Sequence, residues 1–233
     1  INTILPSVQY VYDNTMPGYT GPQDGRRYNL SYTYSPKYNR NSLEFHTAEF
    51  DYRKYWRLSQ MWSIAARGAA GISEGPNPQR FFLGGVSYWL NYRYRTDVDE
   101  FSNDPESIYF SRFITPIRGA RYYETSGTRY LLSNVEVRFP LIHYLFMGFP
   151  PVALQNIRGA FFWDMGIAWD GSDLNLTTIG ANGRSRFDDI VSGVGFGVRL
   201  GGIKLDIAWR INSINIFRDS MEPRYYWSFG YDF

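Results

Sequence analysis

The sequence predicts an all-β fold, an antiparallel transmembrane β-barrel, and three observations carry that prediction. Apolar and aromatic residues alternate with polar ones at period two in segment after segment, as in strands whose two faces meet different environments. The 233 residues are 44% hydrophobic and 19% aromatic, with 20 Tyr, 17 Phe and 7 Trp. That is more aromatic surface than a soluble core needs, and it suits two interfacial belts of amphipathic rings. Finally, no window approaches the ~18 consecutive apolar residues of a membrane-crossing helix, so a membrane wall here has to be built from strands.

Nine strands follow in order. The first, 4–13, sets Val8, Tyr10 and Tyr12 against Gln9, Val11 and Asp13, and ends in turn chemistry at Pro17-Gly18, Gly21-Pro22 and Asp24-Gly25. The second, 27–35, has Tyr28, Leu30, Tyr32 and Tyr34 on one face and Asn29, Ser31, Thr33 and Ser35 on the other. In the third, 43–55, Ala48, Phe50 and Tyr52 oppose Thr47, Glu49, Asp51 and Arg53; in the fourth, 60–70, Trp62, Ile64 and Ala66 oppose Ser63, Ala65 and Arg67. After a long middle segment the pattern resumes at 128–139, with Leu131, Val135, Val137 and Phe139 against Asn134, Glu136 and Arg138. Strand 157–169 sets Phe161, Trp163, Met165, Ile167 and Trp169 against Ala160, Asp164, Gly166 and Ala168. Strands 190–200 and 203–211 continue it, the first with Gly195, Gly197 and Arg199 on its polar face and the second with Lys204, Asp206 and Arg210. The ninth, 225–233, carries Tyr225, Trp227, Phe229, Tyr231 and Phe233 in phase. A tenth candidate, Val86–Arg95, has Tyr88, Leu90, Tyr92 and Tyr94 in phase inside the middle segment.

A soluble sandwich would show the same alternation with its apolar face inward. Two features favour lipid on the apolar side and a wet lumen on the polar side. Aromatics gather toward strand ends, as at Tyr10, Tyr12, Tyr32, Tyr34 and Trp209, and the polar face mixes acids, arginines and glycines as a charge-paired lumen does. The formal net charge is +2 with arginines scattered, which leaves no nucleic-acid footprint. Cysteine is absent, which removes disulfide frameworks and thiolate metal sites. Ile1 opens directly in strand-like sequence without a leader's charged and apolar regions, so the expectation is a fragment, or a chain from which a signal has been removed.

Residues 71–127 interrupt the pattern and are predicted to form one long loop within a single barrel domain spanning 1–233. In that loop, Thr115-Pro116-Ile117-Arg118-Gly119-Ala120 places an arginine beside a glycine. A charge planted in a barrel needs a partner, and Glu136 and Asp164, on polar faces of the following strands, are the candidates. A bidentate arginine–carboxylate pair would fix the loop against the lumen wall rather than perform chemistry; the competing reading is an exposed arginine and two unrelated acids. His46 and His143 lie far apart, without metal-ligand spacing. Asp97, Asp99, Glu100 and Asp104 match no calcium-loop spacing and read as a solvated acidic loop. Asp170-Gly171-Ser172-Asp173 reads as a strand-end turn, and Tyr109, Phe110 and Phe113 as packing inside a lumen plug. No G-x-S-x-G, P-loop or H-E-x-x-H is present, so neither an enzyme nor a cofactor site is expected.

The order Phe81-Phe82-Leu83-Gly84-Gly85, then Ile117-Arg118-Gly119, then Asn134-Val135-Glu136-Val137-Arg138-Phe139-Pro140-Leu141, then Phe161-Phe162-Trp163-Asp164-Met165-Gly166 resembles the BamA-type superfamily of bacterial surface antigens, outer-membrane insertases and two-partner-secretion transporters. The resemblance covers essentially the whole chain, most specifically 81–233. It implies a sixteen-stranded barrel of which these nine (or ten) strands are the last, with the earlier strands preceding Ile1. It also implies a sixth extracellular loop tucked into the lumen by a (V/I)-R-G-(F/Y) motif. By that resemblance Arg118 and Gly119 are the motif residues, Asp164 is the wall partner on the thirteenth strand, and Glu136 lies on the twelfth. Two departures stand out. The motif ends in Ala120, with Tyr122 and Tyr123 close behind, and residues 86–116 separate it from Gly84-Gly85. A second Ile157-Arg158-Gly159-Ala160 competes for the assignment.

The final alternation resembles the closing strand recognised by the outer-membrane assembly machinery, so Tyr225, Trp227, Phe229, Tyr231 and Phe233 are the expected assembly signal. The resemblance further implies the bacterial outer membrane as location. Its implied partners are outer-membrane lipid, the assembly machinery during biogenesis, and periplasmic or envelope proteins, with no nucleic acid. The implied role is polypeptide insertion or translocation. Two other roles stay open: an anchor or structural subunit of a larger envelope complex, and a passive diffusion pore, against which an inward-folded loop argues.

Overall fold

A computed structural model of the chain describes residues 3–91, 111–147, 152–171, 174, 176–179, 185–187, 189–211 and 222–230. The period-two segments fold as strands. In chain order they are β1 (Ser7–Asp13), β2 (Gly25–Ser35), β3 (Phe45–Arg57), β4 (Ser63–Glu74), β5 (Phe81–Leu83), β6 (Arg112–Ile114) and β7 (Thr125–Gly127). They continue with β8 (Arg129–Met147), β9 (Val152–Trp169), β10 (Thr177–Ile179), β11 (Ser185–Phe187), β12 (Ile190–Leu200), β13 (Ile203–Ile211) and β14 (Arg224–Phe229). Nine of them make one sheet in the order β1-β2-β3-β4-β8-β9-β12-β13-β14, every neighbour antiparallel. The sheet is open among the described residues, with β1 and β14 as its edges.

This wall is inside out relative to a water-soluble protein. Leu30, Phe50, Leu131, Trp163, Leu205 and Trp227 stand exposed on one face, and Phe161, midway along β9, is 56% exposed. On the other face Asn134, Glu136, Arg138, Asp164, Arg199, Lys204 and Asp206 are buried. Left in water, that apolar face would forfeit about 25 cal/mol for every Å² of apolar surface it could have buried. It is stable where lipid takes the place of water, with the polar face turned to an interior. No helix among the described residues is long and apolar enough to cross a membrane.

All nine expected strands are present, with shifted ends. β8 runs on to Met147 and β9 begins at Val152, beyond the expected 139 and 157. Pro140 lacks an N–H and breaks the alternation, and the structure absorbs it in a register shift between Pro140 and Ile142 before the ladder resumes. β1 begins at Ser7 rather than at residue 4, and β4 continues to Glu74, four residues past its expected end. The tenth candidate is corrected in part. Residues 86–91 form no strand, Trp89 makes a single bridge to Ser228, and residues 92–95 lie outside the described residues.

The described parts of the middle segment are folded rather than irregular. β5 pairs with β6 in parallel and with β7 antiparallel, giving a small sheet of its own. Phe81, Leu83, Ile114, Ile117 and Ala120 from this segment bury themselves against Ala69 of β4, Tyr130 and Leu132 of β8, Ala168 of β9 and Val191 of β12. Among the described residues, loop and wall therefore share the main apolar core, which sits on the wall's inner face. At that level both faces of β8 are apolar, Leu131 toward lipid and Tyr130 and Leu132 toward the loop.

If the outer face meets lipid, Phe161→Arg should weaken folding into lipid vesicles by about 2–4 kcal/mol, the cost of an arginine near the bilayer midplane. Urea titration of tryptophan fluorescence in vesicles measures it. A change within about 0.5 kcal/mol, usual for an exposed position in water, would place that face in solvent.

Candidate functional site

The pairing of β8 with β9 sets Asn134 opposite Asp164 and Glu136 opposite Phe162. Residues two apart share a face, so these four side chains form a square on the inner wall. Arg118, 0% exposed, lies on that square. Its Nε donates to Asp164 Oδ2 at 2.7 Å and its Nη2 to Asp164 Oδ1 at 2.9 Å, a two-pronged pair, while Nη1 donates to Glu136 Oε2 at 2.9 Å. The guanidinium stands 3.5 Å from the centre of the Phe162 ring. A planar cation with several donors matches this bed of carboxylates and one aromatic face; an ammonium would not.

The backbone is held as firmly as the side chain. Arg118 N–H donates to Asp164 Oδ2 at 2.9 Å, and Asn134 Nδ2 donates to both Asp164 Oδ1 and the Pro116 carbonyl, each at 2.9 Å. Gly119 N–H donates to the Tyr226 hydroxyl at 2.7 Å, and that hydroxyl donates to the Ala120 carbonyl at 2.7 Å. From β4, Arg67 Nη1 reaches the Thr115 carbonyl at 2.6 Å. One short loop segment is thus tied to β4, β8, β9 and β14.

Charge balance extends past the square. Glu136 Oε1 accepts from Arg138 Nε at 2.7 Å, and its Oε2 lies 3.4 Å from Arg199 Nη2. Arg199 in turn pairs with Asp206 at 2.5 Å. Arg118, Arg138 and Arg199 therefore meet Glu136, Asp164 and Asp206, and the burial of so many ions is tolerable only because each has a counter-charge in contact.

Room for the loop comes from glycine. A Cβ on Gly193 of β12 would lie 1.9 Å from the Arg118 carbonyl oxygen, and one on Gly166 of β9 would lie 2.4 Å from Ile117 Cδ1. Gly119 itself sits at φ +93°, a conformation that side chains rarely adopt. The Gly84-Gly85 pair, distant in sequence from the arginine motif, is beside it in space: Gly85 and Ile117 exchange two backbone hydrogen bonds of 3.2 and 2.8 Å. Gly85 and Ile117, far apart in sequence, thus meet in one joint.

Of the residues expected at the site, Arg118, Gly119, Glu136 and Asp164 come together. Arg158 does not join them. It projects from β9 toward Gln23, whose amide oxygen accepts from its Nη1 and Nη2 at 2.6 and 2.9 Å once the amide is oriented to match. Tyr225, Trp227 and Phe229 stand exposed on the outer face of β14, while Tyr231 and Phe233 lie outside the described residues. His46 approaches Glu74 at 3.7 Å and His143 is exposed on the extension of β8. The acids from Asp97 to Asp104, with Tyr109 and Phe110, lie outside the described residues; Phe113 stacks on Tyr123 with ring centres 4.2 Å apart. Among the described residues no three His, Asp or Glu side chains gather as a metal site.

Sequence reasoning missed Asn134, Phe162, Gly193 and Tyr226 as site residues. Two had a readable signal, since Asn134 and Phe162 each lie two positions before an expected acid and so share its face. A tyrosine at 226 on the polar face of an otherwise aromatic-outward strand was a third cue.

Arg118→Ala should cost about 3–5 kcal/mol, the usual cost of stripping one partner from a buried ion pair, and expose the 75–128 segment to protease in folded protein. Gly193→Ala should release the same segment with every charge still present, because its methyl group occupies the place of the Arg118 carbonyl. Limited proteolysis followed by mass mapping reads both; protection equal to wild type in both variants would disconnect the site from the loop.

A comparison with curated proteins gives no match. The family model described as the Omp85 superfamily domain matches residues 2–233, in agreement with the BamA-type resemblance. The chain therefore belongs to the Omp85 superfamily, whose members are outer-membrane proteins that work in assembly or translocation at that membrane.

Proposed function

We propose that this chain is the wall of an outer-membrane barrel that inserts or translocates polypeptides, its nine long strands being the last of sixteen. In this reading the 75–128 segment is an extracellular loop folded inward, and the Arg118–Asp164–Glu136 bed locks it. The observation that carries the reading is the loop's docking: one short segment, Thr115–Ala120, is bonded to strands from β4 to β14 and would hold them in a fixed curvature. The interior beside these strands is filled by that segment and its apolar core, which supports a polypeptide-handling wall over an open diffusion pore.

The lock's role is positional. It holds no nucleophile and no acid–base pair in contact with open space. Its carboxylates are committed to arginines, and what it offers is stiffness on the inner wall while strand pairing at the sheet edges exchanges. Membrane contact falls to the exposed aromatic and aliphatic face, and envelope partners are expected at the strand ends.

Two measurements test the proposal. In planar bilayers the wild-type protein should show only small, brief conductances, and Arg118→Ala should show larger and longer ones; large steady openings in the wild type would support a pore instead. In cells depleted of the protein, a defined set of surface or secreted polypeptides should fail to reach its destination. Normal delivery of all of them would favour a purely anchoring role.

A further inference from the structure

Arg158 is the exception to the charge balance of the inner wall. It lies on the same face of β9 as Phe162 and Asp164. It is 7% exposed, and it pairs with no carboxylate among the described residues. Cations flank it instead. The register sets Arg199 of β12 opposite Arg158 on one side, and on the other Pro140 of β8, two residues along from Arg138. Because β8 and β12 lie on either side of β9, this position owes nothing to the edges of the sheet.

The turn between β1 and β2, at the end of the sheet opposite the 75–128 loop, covers the group. Arg138 Nη1 donates to the Pro22 carbonyl at 2.8 Å, and Nη1 and Nη2 of Arg158 share the one amide oxygen of Gln23. Arg158 Nε has no hydrogen-bond partner among the described residues. Arg118 shows what the same group takes when it is satisfied: both oxygens of Asp164 across Nε and Nη2, and Glu136 on Nη1. A carboxamide offers one acceptor oxygen and no charge, so the buried cation stays uncompensated. A carboxylate has the same flat shape and adds a second oxygen and the missing charge.

We propose that Arg158 is a binding site for a carboxylate side chain of a polypeptide lying along the inner wall, and that Gln23 is the neutral stand-in this carboxylate displaces. The flat carboxamide marks a place for a planar group rather than a tetrahedral phosphate. The site also lies on the face away from lipid, out of reach of head groups. Displacement is local. Gln23 N–H donates to the Met16 carbonyl at 2.9 Å and Met16 N–H to the Asp24 carbonyl at 2.9 Å, so the main chain can stay while the side chain swings out. Gly18 gives that side chain its room: a Cβ there would lie 2.5 Å from Gln23 Cδ, and the three nearest atoms all belong to Gln23. The identity of the ligand rests on the polypeptide-handling reading above; the missing counter-charge does not.

The test uses the whole protein in lipid vesicles and a fluorescent, unstructured peptide with spaced glutamates, compared with a copy carrying glutamine at those places. Wild type should bind the acidic peptide about tenfold more tightly than the copy, the scale of one charge-assisted pair. Gln23→Ala and Gly18→Ala each take the stand-in off Arg158 and should tighten that binding severalfold. Gln23→Glu supplies the carboxylate from within; it should weaken peptide binding about tenfold and slow protease cleavage of the β1–β2 turn. Arg158→Gln should remove the preference for the acidic peptide, and Gln23→Glu keeps the test valid if that variant does not fold. Equal binding of the two peptides, or unchanged affinity in Gln23→Glu, would overturn the proposal. So would inorganic phosphate competing as well as glutarate, because the site would then not select a carboxylate. Slower cleavage in Gln23→Glu with no peptide bound by wild type would overturn the ligand assigned here. All of these measurements use purified protein, so they succeed or fail separately from polypeptide delivery in cells.

Discussion

A single buried guanidinium organises the inner wall. Arg118 has no contact with solvent, and an unpaired charge in that position would cost far more than a small domain has to spend. Its partners must therefore be exact in direction as well as in sign. That demand reaches outward through the register: only if β8 and β9 pair Asn134 with Asp164 and Glu136 with Phe162 do two carboxylates, an amide and a ring converge on one side. A slip of one residue would turn one strand's two members of the set to the opposite face and break up the bed. The ion pair and the sheet register are thus the same constraint seen from two ends.

The second consequence is a core in an unusual place. A membrane wall has no hydrophobic interior of its own, because its apolar face is given to lipid. The largest apolar cluster among the described residues is completed by the loop, which lays Phe81, Leu83, Ile114 and Ile117 against the wall's inner face. Packing and charge pairing sit side by side there, Ile117 entering the apolar cluster and Arg118 the ionic one. The glycines at 166 and 193 are what allow backbone to approach wall so closely. Tyr226 then joins this joint to β14.

How far the sequence could be read follows from the range over which each pattern operates. Wall strands announce themselves through period-two alternation, a local signal, and all nine were legible with their faces. Where the inner face becomes apolar, as at Tyr130 and Leu132, alternation fades for a physical reason: the loop covers that level, so polarity no longer separates the two sides. Pro140 hid the extension of β8 because a ladder that absorbs a proline through a register shift looks, in sequence, like a strand that stops. Arg118 and its two acids were legible from the motif and the facing pattern. The Gly85–Ile117 joint, the clasp by Tyr226 and the approach of Asn91 to β14 were not, because each joins residues brought together only when the loop folds back.

Family membership places the chain among outer-membrane proteins of assembly and translocation, and the geometry supplies what membership alone does not: a loop whose position is set by one cation. That claim is most directly tested by a double-mutant cycle between Arg118 and Asp164 in vesicle-reconstituted protein, using Arg118→Ala, Asp164→Ala and the pair. If the bidentate contact sets the loop, the two losses should be coupled by about 2–3 kcal/mol, the upper part of the range for residues in one network. Losses that add to within about 0.5 kcal/mol, as for independent sites, would contradict the account.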